Sequence, residues 1–237
     1  MPMYSDDLWL GEATGPQSQS WAGPGQVYRG VGPLGRVYIF DIVPVALSAT
    51  AVCAAQAIAA AGNATINGAS ASGGVATFDV ARTVSVDTSD VGNTTQTVTI
   101  TGTDYWGQAQ TEAIACNGTT QVNGVKAFKT VTAVYVSAAI TGTIFVGNND
   151  AFGLPYRVTN AGYLLRTGWA GAVADNAGTF VAADTATATA TTGDVRGLYA
   201  PTTAADGARR LVIAIGLTAI QAGPNATQTG AIGVTPA

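Results

Sequence analysis

Thr97-Val98-Thr99-Ile100-Thr101 is the stretch on which the reading of the chain turns. Threonine alternates strictly with β-branched apolar residues. Side chains along a strand point to opposite faces with a period of two, so one face here is apolar and the other carries hydroxyls, as in a half-buried antiparallel strand. Upstream, Val80, Val84 and Val86 share a parity; downstream, Leu211, Ile213, Ile215 and Leu217 do so again and predict a last strand. Arg36-Val37-Tyr38-Ile39-Phe40-Asp41-Ile42-Val43 is rich in β-branched and aromatic residues, stops at Pro44, and reads as the first strand. From Phe128 to Val136 apolar residues occupy both parities, which predicts a central strand or a bulge with both faces covered.

The turns tell the same story. Asn67-Gly68, Asn117-Gly118, Asn123-Gly124 and Asp206-Gly207 are dipeptides that tolerate the positive φ of tight hairpins. The Ala-rich window from Val45 to Ala61 lacks charges, caps and an apolar stripe, so a strand is expected there rather than a helix. Thr185 to Thr191 alternates Thr and Ala, leaving an alanine face that a neighbouring sheet or subunit can approach closely. Ten or more short strands with no 3.6-residue stripe make an all-β protein, an antiparallel β-sandwich of jelly-roll type. The expected organisation is an extended N-terminal arm over residues 1–34, a β-sandwich domain over 35–221 and a C-terminal tail over 222–237; the alternative is a second β unit beginning near Tyr163. The arm is rich in Gly, Pro, Ser and Gln but carries Tyr4, Trp9, Trp21 and Tyr28. Large aromatics in a segment without periodicity imply packing, either on another subunit or back on its own domain.

Composition excludes several functions. Only 10% of the 237 residues are charged, against about 25% in an ordinary soluble domain. With 10 Lys+Arg against 14 Asp+Glu there is no basic field for a nucleic-acid backbone. Histidine is absent, which removes the usual general base and the commonest metal ligand. The opening MPMYSDDLWLGEATG has no basic region followed by an apolar run, so neither a secretion signal nor a membrane span is expected. Without such a signal the four Asn-x-Thr triplets at Asn63, Asn93, Asn117 and Asn225 read as turn and strand residues. Cys53 and Cys116 read as unpaired, buried apolar residues.

Motifs that carry chemistry are equally sparse. Gly30-Val-Gly32-Pro-Leu-Gly35 fits the dinucleotide fingerprint in spacing, but a Pro-rich loop precedes it and a strand follows, where a helix is required. Asp87 and Asp90 with Asp104 or Asp150 would be the candidates for a calcium cage, yet scattered loop carboxylates commonly bond their own backbone. Ser70 and Ser72 miss the spacing of a nucleophile elbow and have no histidine partner. Glu12, Glu112 and a dozen aspartates are dispersed rather than paired near the tryptophans. The expectation is therefore a protein with no enzymatic activity, no metal and no cofactor.

Four segments carry a resemblance: Val98-Thr-Ile-Thr-Gly-Thr-Asp-Tyr-Trp-Gly107, Val125-Lys-Ala-Phe-Lys-Thr-Val131, Val146-Gly-Asn-Asn-Asp-Ala-Phe-Gly-Leu-Pro-Tyr-Arg157 and Thr192-Gly-Asp-Val-Arg-Gly-Leu-Tyr-Ala-Pro201. In this order they resemble the capsid decoration, cement or head-fibre proteins of tailed bacteriophages, over roughly Gln56 to Leu217. The family-like turn residues are Gly102, Asp104, Gly107, Gly153, Leu154, Pro155, Gly193, Asp194, Arg196 and Gly197. The resemblance implies a structural protein made in the host cytoplasm that binds the exterior of an icosahedral capsid. Its implied partners are the major capsid protein and copies of itself, a homotrimer suiting three-fold positions. Tyr4, Trp9, Trp21 and Tyr28 are then the expected contacts. A head-fibre or tail adhesin that binds host glycans is the alternative, with Trp106 and Trp169 exposed as stacking platforms; a bacterial surface appendage is a third.

Overall fold

The computed structural model of the chain describes residues 8–9, 36–170, 178–184 and 193–217. Its strands are β1 Leu8–Trp9, β2 Arg36–Ile42, β3 Cys53–Gln56, β4 Gly62–Asn63, β5 Ala71–Ser72, β6 Val75–Thr88, β7 Thr97–Thr103, β8 Ala109–Ala115, β9 Val122–Val136, β10 Ile144–Gly153, β11 Leu164–Trp169, β12 Thr179–Val181, β13 Leu198–Ala200 and β14 Leu211–Leu217. A single 3-10 turn, Ala161–Tyr163, is the only helical element among the described residues. The fold is all-β and antiparallel throughout, in two sheets. One has the order β1-β2-β14-β11; the other runs β12-β13-β10-β6-β9-β7-β8, with β3, β4 and β5 paired onto β10, β9 and β6.

The Thr97–Thr101 stretch forms a strand as expected. In β7, Val98 and Ile100 are fully buried while Thr97, Thr99, Thr101 and Thr103 are half-buried, and its ladder to β8 runs without a break from Thr97↔Ala115 to Thr103↔Ala109. β14 is likewise as expected: Leu211, Ile213 and Ile215 are fully buried, because the strand lies between β2 and β11. β9 is central, held by β6 on one side and β7 on the other. Its mixed parity comes from a bulge. The β7–β9 register passes from Thr101↔Ala133 to Gly102↔Val131, so Thr132 is an extra residue, and Val131 points inward like Val134 and Val136 despite its opposite parity. The expected cover on both faces does not hold beyond the bulge, where Thr132 and Tyr135 are exposed.

Other expectations are corrected. Asn123-Gly124 is no hairpin turn but lies inside β9. Only Cys53–Gln56 of the 45–61 window is a strand, and residues 43–50 run without regular structure. Not all the strands are short: β6 and β9 have 14 and 15 residues. No residue other than glycine has a positive φ among those described, so Asn-Gly turns with two left-handed residues do not occur there. The Thr/Ala repeat at 185–191 and the segment Gly30–Gly35 lie outside the described residues.

Two main cores result. The larger gathers Val52, Cys53, Phe78, Val84, Val86, Val98, Ile100, Phe128, Val134, Val136, Ile144 and Val146 within the large sheet and the strands that curl over it. The second, with Phe40, Val80, Phe152, Leu154, Trp169, Tyr199, Leu211, Ile213 and Ile215, joins the small sheet to the large one. Both cysteines are unpaired and buried, and burial raises the Cys53 thiol to about 12.

Candidate functional site

The family-like residues, scattered over almost a hundred positions, converge where β7, β8 and β9 meet the segment around residue 194. The β7–β8 turn is built on Asp104, which is buried. Its Oδ1 accepts the backbone N–H groups of Trp106 (2.9 Å) and Gln108 (2.8 Å), and its Oδ2 is paired with Arg196. Arg196, also buried, donates its second terminal nitrogen to Gln108 Oε1 (2.9 Å). Gly107 closes the turn with φ 81°, a left-handed conformation that a glycine adopts without steric cost. Gly102 serves a different need: a Cβ there would lie 1.9 Å from the Thr130 carbonyl oxygen, so β7 can approach the β9 bulge only without a side chain.

Asp194 continues the cluster. Its Oδ1 accepts from Arg196 N (2.8 Å) and Gly197 N (3.2 Å), and its Oδ2 accepts from Ala127 N (2.9 Å). Glu112, inward from β8, accepts from Val125 N (2.5 Å) and Lys126 N (3.3 Å). These contacts have a common cause. The β6–β9 register shifts between Thr83↔Ala127 and Ser85↔Asn123, and the β7–β9 ladder reaches no further than Thr103↔Thr130. Three successive backbone N–H groups of β9 therefore lack a strand partner, and an unpaired buried N–H is costly; the two carboxylates take the place of that strand. Gln110 donates to Ala127 O (2.6 Å) and Lys126 Nζ to Thr111 O (3.0 Å), closing the gap between β8 and β9. Burial outweighs these bonds in setting acidity: the Glu112 and Asp194 carboxyls are raised, and the Lys126 ammonium is lowered.

A second buried pair follows the same logic. Arg82 donates to Asp150 Oδ1 (2.8 Å) and Val45 O (3.0 Å) and lies 4.9 Å over the Phe152 ring, while Asp150 Oδ2 accepts Ala205 N (2.8 Å). Asp150 sits where the β6–β10 register slips between Asn148 and Phe152, so the irregularity aims it at Arg82. Every oxygen of Asp104, Glu112, Asp150 and Asp194 thus holds a backbone N–H or a guanidinium. Asp87 and Asp90 bond their own neighbours, Thr88 N and Gly92 N, and no group of three or more potential metal ligands exists among the described residues.

Outside the cluster lies an aromatic corner. Trp106, at the tip of the β7–β8 turn, is 48% exposed. Its indole N–H is fixed to Pro155 O (2.8 Å), and its ring stands 5.1 Å from Tyr105, edge-on, and 6.4 Å from Tyr156. Tyr156 in turn lies 4.7 Å from Tyr38 of β2, and Tyr105 lies 5.9 Å from Phe40, so this corner also ties the two sheets together. Leu154 N donates to Gly197 O (3.0 Å), Gly153 ends β10, and Gly193 precedes Asp194, which completes the family-like set. Trp169 is no surface platform: it is 6% exposed and covered by Arg209 at 5.1 Å.

Of the arm residues, Tyr4, Trp21 and Tyr28 lie outside the described residues. Trp9 pairs with Arg36, and Leu8 with Val37, as β1 on the edge of β2. Gln108, Gln110, Glu112, Lys126 and the tyrosines at 38, 105 and 156 do not stand out as site residues in the sequence. Gln110 and Glu112 do carry a signal, since they share the inward parity of Ile114 in β8 while Ala109, Thr111, Ala113 and Ala115 face outward. No helix among the described residues is long and apolar enough to cross a membrane. No family model, curated protein or solved structure matches the chain.

Proposed function

We propose that this protein is a non-enzymatic structural component of a phage virion, which binds the outside of an icosahedral capsid and cements neighbouring capsomers. One observation carries the reading: among the described residues, all eight oxygens of the buried carboxylates Asp104, Glu112, Asp150 and Asp194 hold backbone N–H groups or arginine, so these acids act as locks on the fold. The sparse surface charge and the Thr and Ala faces of β7 and β8 suit contacts made by shape, hydrogen bonds and apolar burial. The resemblance to decoration and cement proteins supplies the class of partner, the major capsid protein, and a self-associated form, with a trimer suiting a three-fold position.

The test adds purified protein to shells that lack it and follows their thermal disruption. Cementing raises the disruption temperature and saturates at a stoichiometry of hundreds of copies per particle; an unchanged temperature overturns it. Removing residues 1–34, with Tyr4, Trp9, Trp21 and Tyr28, is expected to lower capsid occupancy. Full occupancy of the truncated protein would take the arm out of the contact.

A further inference from the structure

Arginine is the residue with which this chain fastens itself. Arg82 holds Asp150, Arg196 holds Asp104, Arg209 holds Asp206 and Arg210 holds Asp41. Arg166 is exposed, where water solvates a guanidinium well. Arg157 fits neither case. It is partly buried and its Nε is shut off from water, yet no described residue accepts a hydrogen bond from it. Folded chains rarely leave such a donor without an acceptor, because its lost hydration is not repaid. The other two orphaned atoms, Arg82 Nε and Trp169 Nε1, belong to side chains held by other means: Arg82 by Asp150 and Val45 O, Trp169 beneath Arg209.

The backbone cannot carry Arg157 away to water. Leu154 N donates to Gly197 O (3.0 Å), Pro155 O accepts the Trp106 indole N–H (2.8 Å), and Tyr156 lies 4.7 Å from Tyr38. On the other side Val158 N donates to Arg196 O (2.9 Å) and Val158 O accepts from Ala183 N (2.8 Å). A donor pinned before its partner arrives loses little freedom on binding. Along one edge of a guanidinium, Nε–H and the neighbouring terminal N–H are parallel, which matches the two oxygens of a carboxylate. A second copy of the chain has no acid to spare among the described residues. Asp41, Asp79, Asp87, Asp90 and Asp206 are bound to Arg210, Val45 N, Thr88 N, Gly92 N and Arg209, Asp184 is engaged as well, and the four buried carboxylates are the locks described above. We infer that Arg157 is a preformed receptor for an aspartate or glutamate side chain on the capsid protein. The occupant rests on the cementing reading; the receptor does not.

The experiment titrates full-length, nitrogen-15-labelled protein with sodium acetate at constant ionic strength, with chloride as the balancing ion, and follows the Nε–H resonance that disappears in Arg157→Lys. Acetate shifts this resonance and saturates it, and phosphate does so less. Arg157→Met removes the orphaned donor, so the free variant is as stable as wild type or more so, by up to roughly fivefold in the unfolding equilibrium constant. On shells that lack the protein, Arg157→Lys and Arg157→Met both lower affinity by roughly thirtyfold, since neither presents the paired donors. No response to acetate, or a stronger one to phosphate, overturns the receptor. A clearly less stable Arg157→Met overturns it too, because the guanidinium would then be holding the fold. Unchanged shell affinity in both variants overturns the capsid carboxylate as occupant. Wild type that binds no shell, with the acetate response intact, overturns the cementing reading and the occupant but upholds the receptor.

Discussion

Two glycines and one acid show how single residues set limits on this fold. A methyl group at Gly102 meets the Thr130 carbonyl at 1.9 Å, and the obstacle is backbone, which cannot swing aside. Gly107 has open space but a φ of 81°. Overpacking against backbone exceeds the left-handed penalty, so Gly102→Ala is expected to cost about 3 kcal/mol and Gly107→Ala about 1 kcal/mol, measured by denaturant unfolding. The reverse order would mean that β7 can move away from the bulge. Glu112 governs a pH effect. Its carboxyl lies above the ordinary 4.5 because burial outweighs the N–H bonds from Val125 and Lys126. A carboxyl with a higher pKa in the folded chain contributes stability that is complete below its unfolded value and is lost as the pH rises through its folded value. Relative to Glu112→Gln, which cannot ionise, the wild type should therefore lose stability as the pH climbs from about 4.5 towards neutrality. A flat difference across that range would show that Glu112 ionises as freely folded as unfolded. Asp206 works with the opposite sign at lower pH: backbone N–H groups of Arg209 and Ala208, with the Arg209 side chain, hold it at about 2, so its contribution fades as the pH falls towards that value.

At the scale of elements, the cluster replaces strand pairing with side chains. β8 ends the large sheet, and an edge strand normally invites foreign pairing; here Gln110 and Glu112 reach from β8 to β9, and Lys126 reaches back to the Thr111 carbonyl. The β7–β8 turn is bound to the segment around residue 194 chiefly through Arg196, which bridges Asp104 and Gln108. Breaking a buried pair by removing one partner strands the other charge, so Arg196→Met is expected to lower unfolding free energy by about 3–5 kcal/mol. Adding Asp104→Asn should restore part of that stability, because the orphaned charge disappears. A double variant no better than the single one would assign the effect to packing instead. The strands themselves are legible in sequence wherever one face meets water, as in β7 and β14, because burial then writes a period of two. β9 is harder to read, since Thr132 adds one residue and flips the parity midway, and Asn123-Gly124 has the chemistry of a turn but the position of a strand interior. Asp194 and Arg196 stand out in sequence as turn residues, and Asp104 as a turn residue and one of several scattered carboxylates. Their meeting is a long-range contact across 92 positions, which no local spacing encodes.

For the whole molecule the question is whether its two cores stand or fall together. The larger core includes Cys53, and the second includes Ala205, which is 6% exposed. Two strands run through both: β6 gives Phe78, Val84 and Val86 to the first and Val80 to the second, and β10 gives Ile144 and Val146 to the first and Phe152 to the second. Between these levels the Arg82–Asp150 pair joins β6 to β10, and Asp150 also holds Ala205 N. Opening the second core alone would pull Phe152 away from β6 and leave Arg82 buried without its carboxylate, a cost comparable to the apolar area at stake. One cooperative transition is therefore expected, not the two that a separate β unit after Tyr163 would give. Thiol labelling tests this directly. Burial keeps Cys53 unreactive, with its thiol near 12, so it reacts only when the larger core opens. In a Cys116→Ala background, Cys53 should be labelled across a denaturant series with the same free energy and slope as a cysteine introduced by Ala205→Cys with Cys53→Ala. Labelling of the second site at distinctly lower denaturant would mean that the small sheet and its core open while the large sheet stays closed, and the chain would then have to be described as two β units sharing a pair of strands.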